Sequence, residues 1–162
     1  MRILGIDPGL SKTGWGVLEQ SKGGCRIVDY GLITTDTHDA FPLRLAHIYD
    51  RLNDIILTFE PQVLAVENVI YVENVRTALK LGHARGVILL LAAQKGLPLV
   101  GYAPKEIKES LTGNGNASKV QMQRMVQSLL GLKSLPSPHD VADAIAVAIC
   151  HFHKCRTQHV LA

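Results

Sequence analysis

The chain has 162 residues, 47% of them hydrophobic and 19% charged. That length supports one domain with its own core and leaves no room for two substrate-clamping domains of ordinary size. The composition is globular rather than disordered. Lys and Arg total 17 against 14 Asp and Glu, a formal charge of +3 that permits a nucleic-acid partner without demanding one. No wholly apolar run exceeds that of Val87–Ala93, too short for a membrane span. The strand-like start argues against a secretory leader. The odd, sparse set Cys25, Cys150 and Cys155 suits reduced thiols. The expectation is a single cytoplasmic domain over residues 1–162, with no membrane association.

Residues 2–7 (RILGID) read as a buried strand, broken by Asp7-Pro8-Gly9. Residues 13–18 resume a strand pattern. The turn cluster Ser21-Lys22-Gly23-Gly24 leads to a third strand over 25–34. Short turns between the three predict an antiparallel meander. Over 42–59 the period changes: Leu45, Ile48, Tyr49, Leu52, Ile55, Ile56 and Phe59 share one helical stripe, ended by Pro61. Val63–Val66 is a short apolar strand that stops at Glu67. A second helix is expected over roughly 75–95, then a strand over 99–102. Further helices are expected over 104–111, 118–131 and 139–155. The order βββαβαβααα predicts an α/β fold, a mixed five-stranded sheet with helices on both faces.

The informative residues are acids where the pattern calls for apolar side chains. Asp7 and Glu67 each end an apolar strand. Asp140 and Asp143 stand three apart at the start of the last helix, hence on one face with Cβ atoms ~5–6 Å apart. Each has an ordinary reading: a turn starter for Asp7, a solvated strand end for Glu67, a helix cap or first-turn acid for Asp140. Their combination points elsewhere. Ligands of α/β sheets sit beyond the carboxyl ends of parallel strands, and like charges gathered there need cations. Four oxygen donors without a thiolate suit Mg²⁺ or Mn²⁺ rather than zinc. The chemistry such a set serves is two-metal phosphodiester hydrolysis.

The segments MRILGIDPGLSKTGWGVLE, VENVIYVENVRTALKLGHARGV and PHDVADAIAVAI closely resemble the RuvC family of Holliday-junction resolvases, of the ribonuclease H-like superfamily. The resemblance covers nearly the whole chain in one order. It implies that Asp7, Glu67, Asp140 and Asp143 are the catalytic, metal-binding acids, holding two Mg²⁺ or Mn²⁺ ions. It also implies a homodimer that cuts two strands of a four-way DNA junction symmetrically. A branch-migration complex of RuvA and RuvB type is the implied partner. His139, beside Asp140, reads either as a further metal or water ligand or as a capping or surface histidine.

An acidic site repels DNA unless flanking cations hold the phosphates. Residues 104–133 carry Lys105, Lys108, Lys119, Arg124 and Lys133 against Glu106 and Glu109. Residues 71–86 carry Arg76, Lys80 and Arg85 against Glu73. Taken alone, each stretch is an ordinary solvated helix face. By resemblance Lys108 and Lys119 are DNA-contacting, catalysis-assisting lysines; Arg76, from the charge count, is a further DNA-binding candidate. Many relatives carry a base-stacking Phe three residues after the glutamate. Here that position is Ile70, followed by Tyr71; Ile can wedge, and Tyr can stack on a base or pack in the protein.

Three rival readings fit the sequence less well. DPG-x-x-x-TG resembles the phosphate loop of actin and sugar-kinase proteins, but those need two domains around the nucleotide. A nuclease-like RNA-processing relative and a non-catalytic junction-binding subunit both fit poorly with four acids in place. A zinc site in the Cys150 to Cys155 tail fits poorly too, because those positions lie about 500° apart around a helix.

Overall fold

The computed structural model describes residues 1–68 and 73–160. Strands β1 (Arg2–Asp7), β2 (Lys12–Ser21) and β3 (Gly24–Thr34) are followed by α1 (Phe41–Phe59) and β4 (Val63–Glu67). Then come α2 (Val75–Gln94), β5 (Leu99–Tyr102), α3 (Pro104–Thr112), α4 (Lys119–Leu130) and α5 (His139–Val160). The sheet order is β3-β2-β1-β4-β5. The meander pairs antiparallel, and β1–β4 and β4–β5 pair parallel. Both the element order and the mixed sheet agree with the sequence-based expectation.

Local chemistry sets the boundaries. The Asn74 side chain accepts from Arg76 N and Thr77 N at 2.9 and 3.2 Å, capping α2. Ser118 and Gln121 cap α4 reciprocally, each side chain taking the other's backbone N–H. The β2–β3 hairpin is longer than the apolar pattern suggests, its turn narrowed to Lys22 and Gly23. Helix α5 also runs beyond the expected residue 155. Its charged end is held down: Lys154 Nζ reaches Glu106 at 3.3 Å, and the Arg156 guanidinium lies 5.7 Å from the Phe152 ring centre.

Side-chain alternation along the strands sorts the core into two layers. Leu4, Ile6, Val17, Leu64 and Val66 pack under α1 and α2, against Ile48, Leu52, Ile88 and Leu91. Ile3, Leu18, Val63 and Ala65 face the other way, under α3, α4 and α5, against Ile107, Val126, Ile145 and Ile149. Asp7 and Glu67 continue this second series, so both carboxylates belong to the α5 side of the sheet.

Helix α5 lies on that face over a bed of glycines. A Cβ added to Gly5 would stand 2.0 Å from Ala144 O, and one on Gly16 2.7 Å from Ile145 Cγ1. A Cβ on Gly14 would stand 1.9 Å from Asp140 O. Gly5 pairs with Gly16, and Gly14 with Asp7, in the β1–β2 ladder. The missing side chains let the helix backbone descend onto the sheet, with its first turn directly over the end of β1.

Candidate active site

Strand register brings the first two acids together. Ile6 pairs with Val66 in the parallel β1–β4 ladder, so the next residues, Asp7 and Glu67, stand side by side at the carboxyl ends of adjacent strands. The seating of α5 on Gly14 then brings up Asp140, and Asp143 one helical turn later. All four acids line a single cleft of about 570 Å³. Lys12, Lys108, Lys119 and His139 also line it, and Ile107, Met122 and Ala146 supply an apolar wall.

The electrostatics are those of crowded, half-dry carboxylates. Burial first, and then the charges of Asp143, Glu67 and Asp140, push the Asp7 carboxyl up from 3.8 to about 8, with Lys119 acting the other way. Burial and then Asp143 raise Glu67, opposed by Lys108 and Lys119. Burial also raises Asp143, while Lys119, His139 and Lys108 pull it down and Asp140 pushes it up. The two lysines therefore face the acids from α3 and the start of α4. A cation in the first turn of a helix opposes the helix dipole, typically by 0.3–1 kcal/mol. No acid in the first turn of α4 offsets Lys119 there. Its position is explained by the cleft rather than by the helix.

The donor set fits hard divalent cations. It is four carboxylates, free of thiolates, in a site whose buried acids resist ionising together. Among the described residues, no three acidic, histidine or cysteine side chains are by themselves closed into a metal cage. The carboxylates line an open cleft instead.

The other sequence candidates divide. His139 is the first residue of α5 and sits on the cleft. Arg76 is exposed on the first turn of α2 and is not among the residues lining the cleft. Ile70 and Tyr71 lie outside the described residues. Arg85 is bonded to the end of β4, by two hydrogen bonds to residues 67 and 68. The charge count alone reads it as one cation of an ordinary solvated helix face.

Two further residues shape the site without standing out in the sequence pattern. Lys12 reaches the cleft because β2 returns antiparallel beside β1; the pairing of Gly14 with Asp7 is the signal that would have shown it. Arg44 of α1 is buried, donating from Nε to Thr35 Oγ1 at 2.9 Å and from Nη2 to Ser11 Oγ at 3.0 Å. Thr35 Oγ1 in turn donates to Leu10 O at 2.6 Å. The loop between Asp7 and Lys12 is thereby tied to α1 and to Thr35, the residue after β3.

A β3-β2-β1-β4-β5 mixed sheet with helices on both faces is the ribonuclease H-like fold. Within it, the chain belongs to the RuvC family: the family profile described as "Crossover junction endodeoxyribonuclease RuvC" matches residues 3–151. The crossover junction endodeoxyribonuclease RuvC of Caldicellulosiruptor saccharolyticus is 47% identical over 152 residues, 93% of this chain and 92% of the relative. That of Chloroflexus aggregans is also 47% identical, over 97% of this chain and 96% of the relative. The solved structure of T. thermophilus RuvC in complex with Holliday junction substrate superposes with a TM-score of 0.89 at 30% identity. It covers 97% of this chain and 96% of that one.

Proposed function

We propose that this chain is an endonuclease that resolves four-way (Holliday) DNA junctions by paired, symmetric strand cuts, in recombination and repair. The observation that carries the reading is the convergence of Asp7, Glu67, Asp140 and Asp143 from three elements into one cleft, in a chain of the RuvC family. Asp7, Glu67, Asp140 and Asp143 would hold two Mg²⁺ or Mn²⁺ ions, with His139 at the edge of the set. When bound, such a pair activates the attacking water and stabilises the leaving oxygen.

The chain's own residues do the rest. The four carboxylates fix where cations and water gather. The apolar wall of Ile107, Met122 and Ala146 keeps that side of the cleft dry and strengthens every charge interaction there. Lys108 and Lys119 face the acids and hold the phosphate whose bond is cut, and Lys12 adds a third cation at the opening. Arg76 serves as an outer phosphate contact, and Ile70 or Tyr71 as the group that meets a base at the junction.

Paired cuts need two sites, and α2 carries a surface suited to a second copy. Val75, Leu79 and Leu89 are exposed at 74%, 59% and 45%. With Gly82, Gly86 and Ala93 they form an apolar stripe spaced alternately four and three residues apart, the pattern of a helix–helix seam. The glycines leave open space beside the helix axis for close approach. A two-fold homodimer across this stripe matches a nearly two-fold junction. A branch-migration complex of RuvA and RuvB type is the expected partner in the cell. Among the described residues no helix is long and apolar enough to cross a membrane. Cleavage of a synthetic four-way junction with Mg²⁺, beside linear duplex and beside the Asp7→Asn variant, tests the reading.

A further inference from the structure

Helix α2 grips the backbone at Glu67. Arg85 donates from Nη1 to the Glu67 carbonyl at 3.1 Å and from Nη2 to Asn68 Oδ1 at 2.6 Å. Asn68 is anchored on its other side, its N–H donating to Tyr102 O at 2.7 Å in β5. The Asn68 side chain occupies a slot over Gly101, where an added Cβ would stand 2.2 Å from Oδ1. The guanidinium thus holds one main-chain acceptor and one side-chain acceptor, in adjacent residues, at the point where β4 ends. The cations acting on the Glu67 carboxyl itself are Lys108 and Lys119. Arg85 addresses the peptide behind it.

We propose that Arg85 and Asn68 form a positioning pair for Glu67: they fix the peptide between residues 67 and 68 and so aim the Glu67 side chain into the cleft. The inference rests on Glu67 being one of the metal-holding acids. Strand pairing holds Glu67 on one side only: it pairs with Tyr102 of β5, but the β1–β4 ladder ends one residue earlier, at Ile6 with Val66. A planar guanidinium with two acceptors in fixed directions removes the remaining freedom. Groups that orient a metal ligand typically contribute 10–100-fold to metal affinity or activity.

The test uses the full chain and the variants Arg85→Met, Arg85→Lys and Asn68→Ala. Three quantities are measured: single-turnover cleavage at saturating junction, Mn²⁺ affinity by calorimetric titration without DNA, and junction affinity against salt with the metal chelated. Arg85→Met should lower the saturated rate roughly 10–100-fold and weaken Mn²⁺ binding in parallel. Its junction affinity and salt slope should stay as in the wild type. Arg85→Lys, keeping one donor, should recover part of both losses. Asn68→Ala should shift both in the same direction, and should add little to Arg85→Met, as members of one network do. Asn68→Ala and Arg85→Lys carry the test if Arg85→Met does not fold.

Wild-type rate and Mn²⁺ affinity in these variants would overturn the proposal. So would a weaker junction complex whose salt slope falls by about 0.9, the mark of a lost phosphate contact. Equal loss of fold and activity in all three variants would reduce the pair to scaffolding. Glu67→Gln separates the two readings. If that variant still cuts, the site assignment fails; if it is inert while Arg85→Met cuts normally, only the positioning pair fails.

Discussion

Replacing Asp7 with Asn should abolish cleavage yet make the metal-free protein more stable at neutral pH. In the folded chain the Asp7 carboxyl is pushed up to about 8 by burial and by three neighbouring acids. In the unfolded chain it returns to 3.8. The folded state therefore binds the extra proton between these values, and stability falls as pH rises through that window. Integrated to pH 7, the span corresponds to an upper bound of about 4 kcal/mol relative to a permanently neutral side chain. The open cleft admits solvent, so a gain of about 2 kcal/mol is the expected size, or roughly 4–8 °C in Tm for a chain of this length. The assay is thermal unfolding with chelator from pH 5 to pH 9. Wild type should lose stability with rising pH. Asp7→Asn should lose less, and keep a residual slope from Glu67 and Asp143, which are raised in the same direction. Saturating Mg²⁺ should stabilise wild type more than the variant, since bound cations relieve the same repulsion. A variant less stable than wild type in chelator, or one with the wild-type pH slope, would refute the picture of a repelling acidic cluster.

Other outcomes follow from the same geometry. Lys108→Ala and Lys119→Ala should each lower the rate at saturating junction, and lower the salt slope of binding by roughly 0.9 per lost phosphate contact; single-turnover cleavage and binding at several salt concentrations measure both. Gly14→Ala drives a methyl into Asp140 O, 1.9 Å from the Cβ position. It should cost about 1–3 kcal/mol in unfolding experiments, and of order 10²-fold in rate if Asp140 moves by ~1 Å. Gly23→Ala, which meets open space, should leave the rate unchanged. Leu79→Asp places a charge in the apolar stripe of α2 and should shift the protein to monomer in sedimentation, with loss of paired cutting.

Much of this was legible in the residues because the physics is local. The 3.6 period of α1, the stop at Pro61 and the apolar run cut off at Glu67 each declare an element without help from the rest of the chain. The acids stood out by violating those patterns, and Asp140 with Asp143 declared a shared helix face. What was not legible depends on register. Gly5, Gly14 and Gly16 read as weak points of strands until the β1–β2 pairing shows them under one helix. Lys12 looks like a loop cation until β2 folds back beside Asp7. Arg76 and Arg85 add equally to a charge count, yet one is exposed and the other is bonded to the Glu67 peptide. Helix α5 runs past its apolar stripe into polar residues, where Arg156 lies over the Phe152 ring, a contact that periodicity does not record.

The most direct measurement is strand cleavage of an end-labelled synthetic four-way junction by the wild-type chain and by Asp7→Asn, Glu67→Gln, Asp140→Asn and Asp143→Asn, with Mg²⁺ and with Mn²⁺. Two symmetric nicks by the wild type are expected, with none by any of the four variants, all of which still bind the junction. Junctions left intact by a wild-type protein that binds them under both metals, or cut by an acid variant at the wild-type rate, would contradict it.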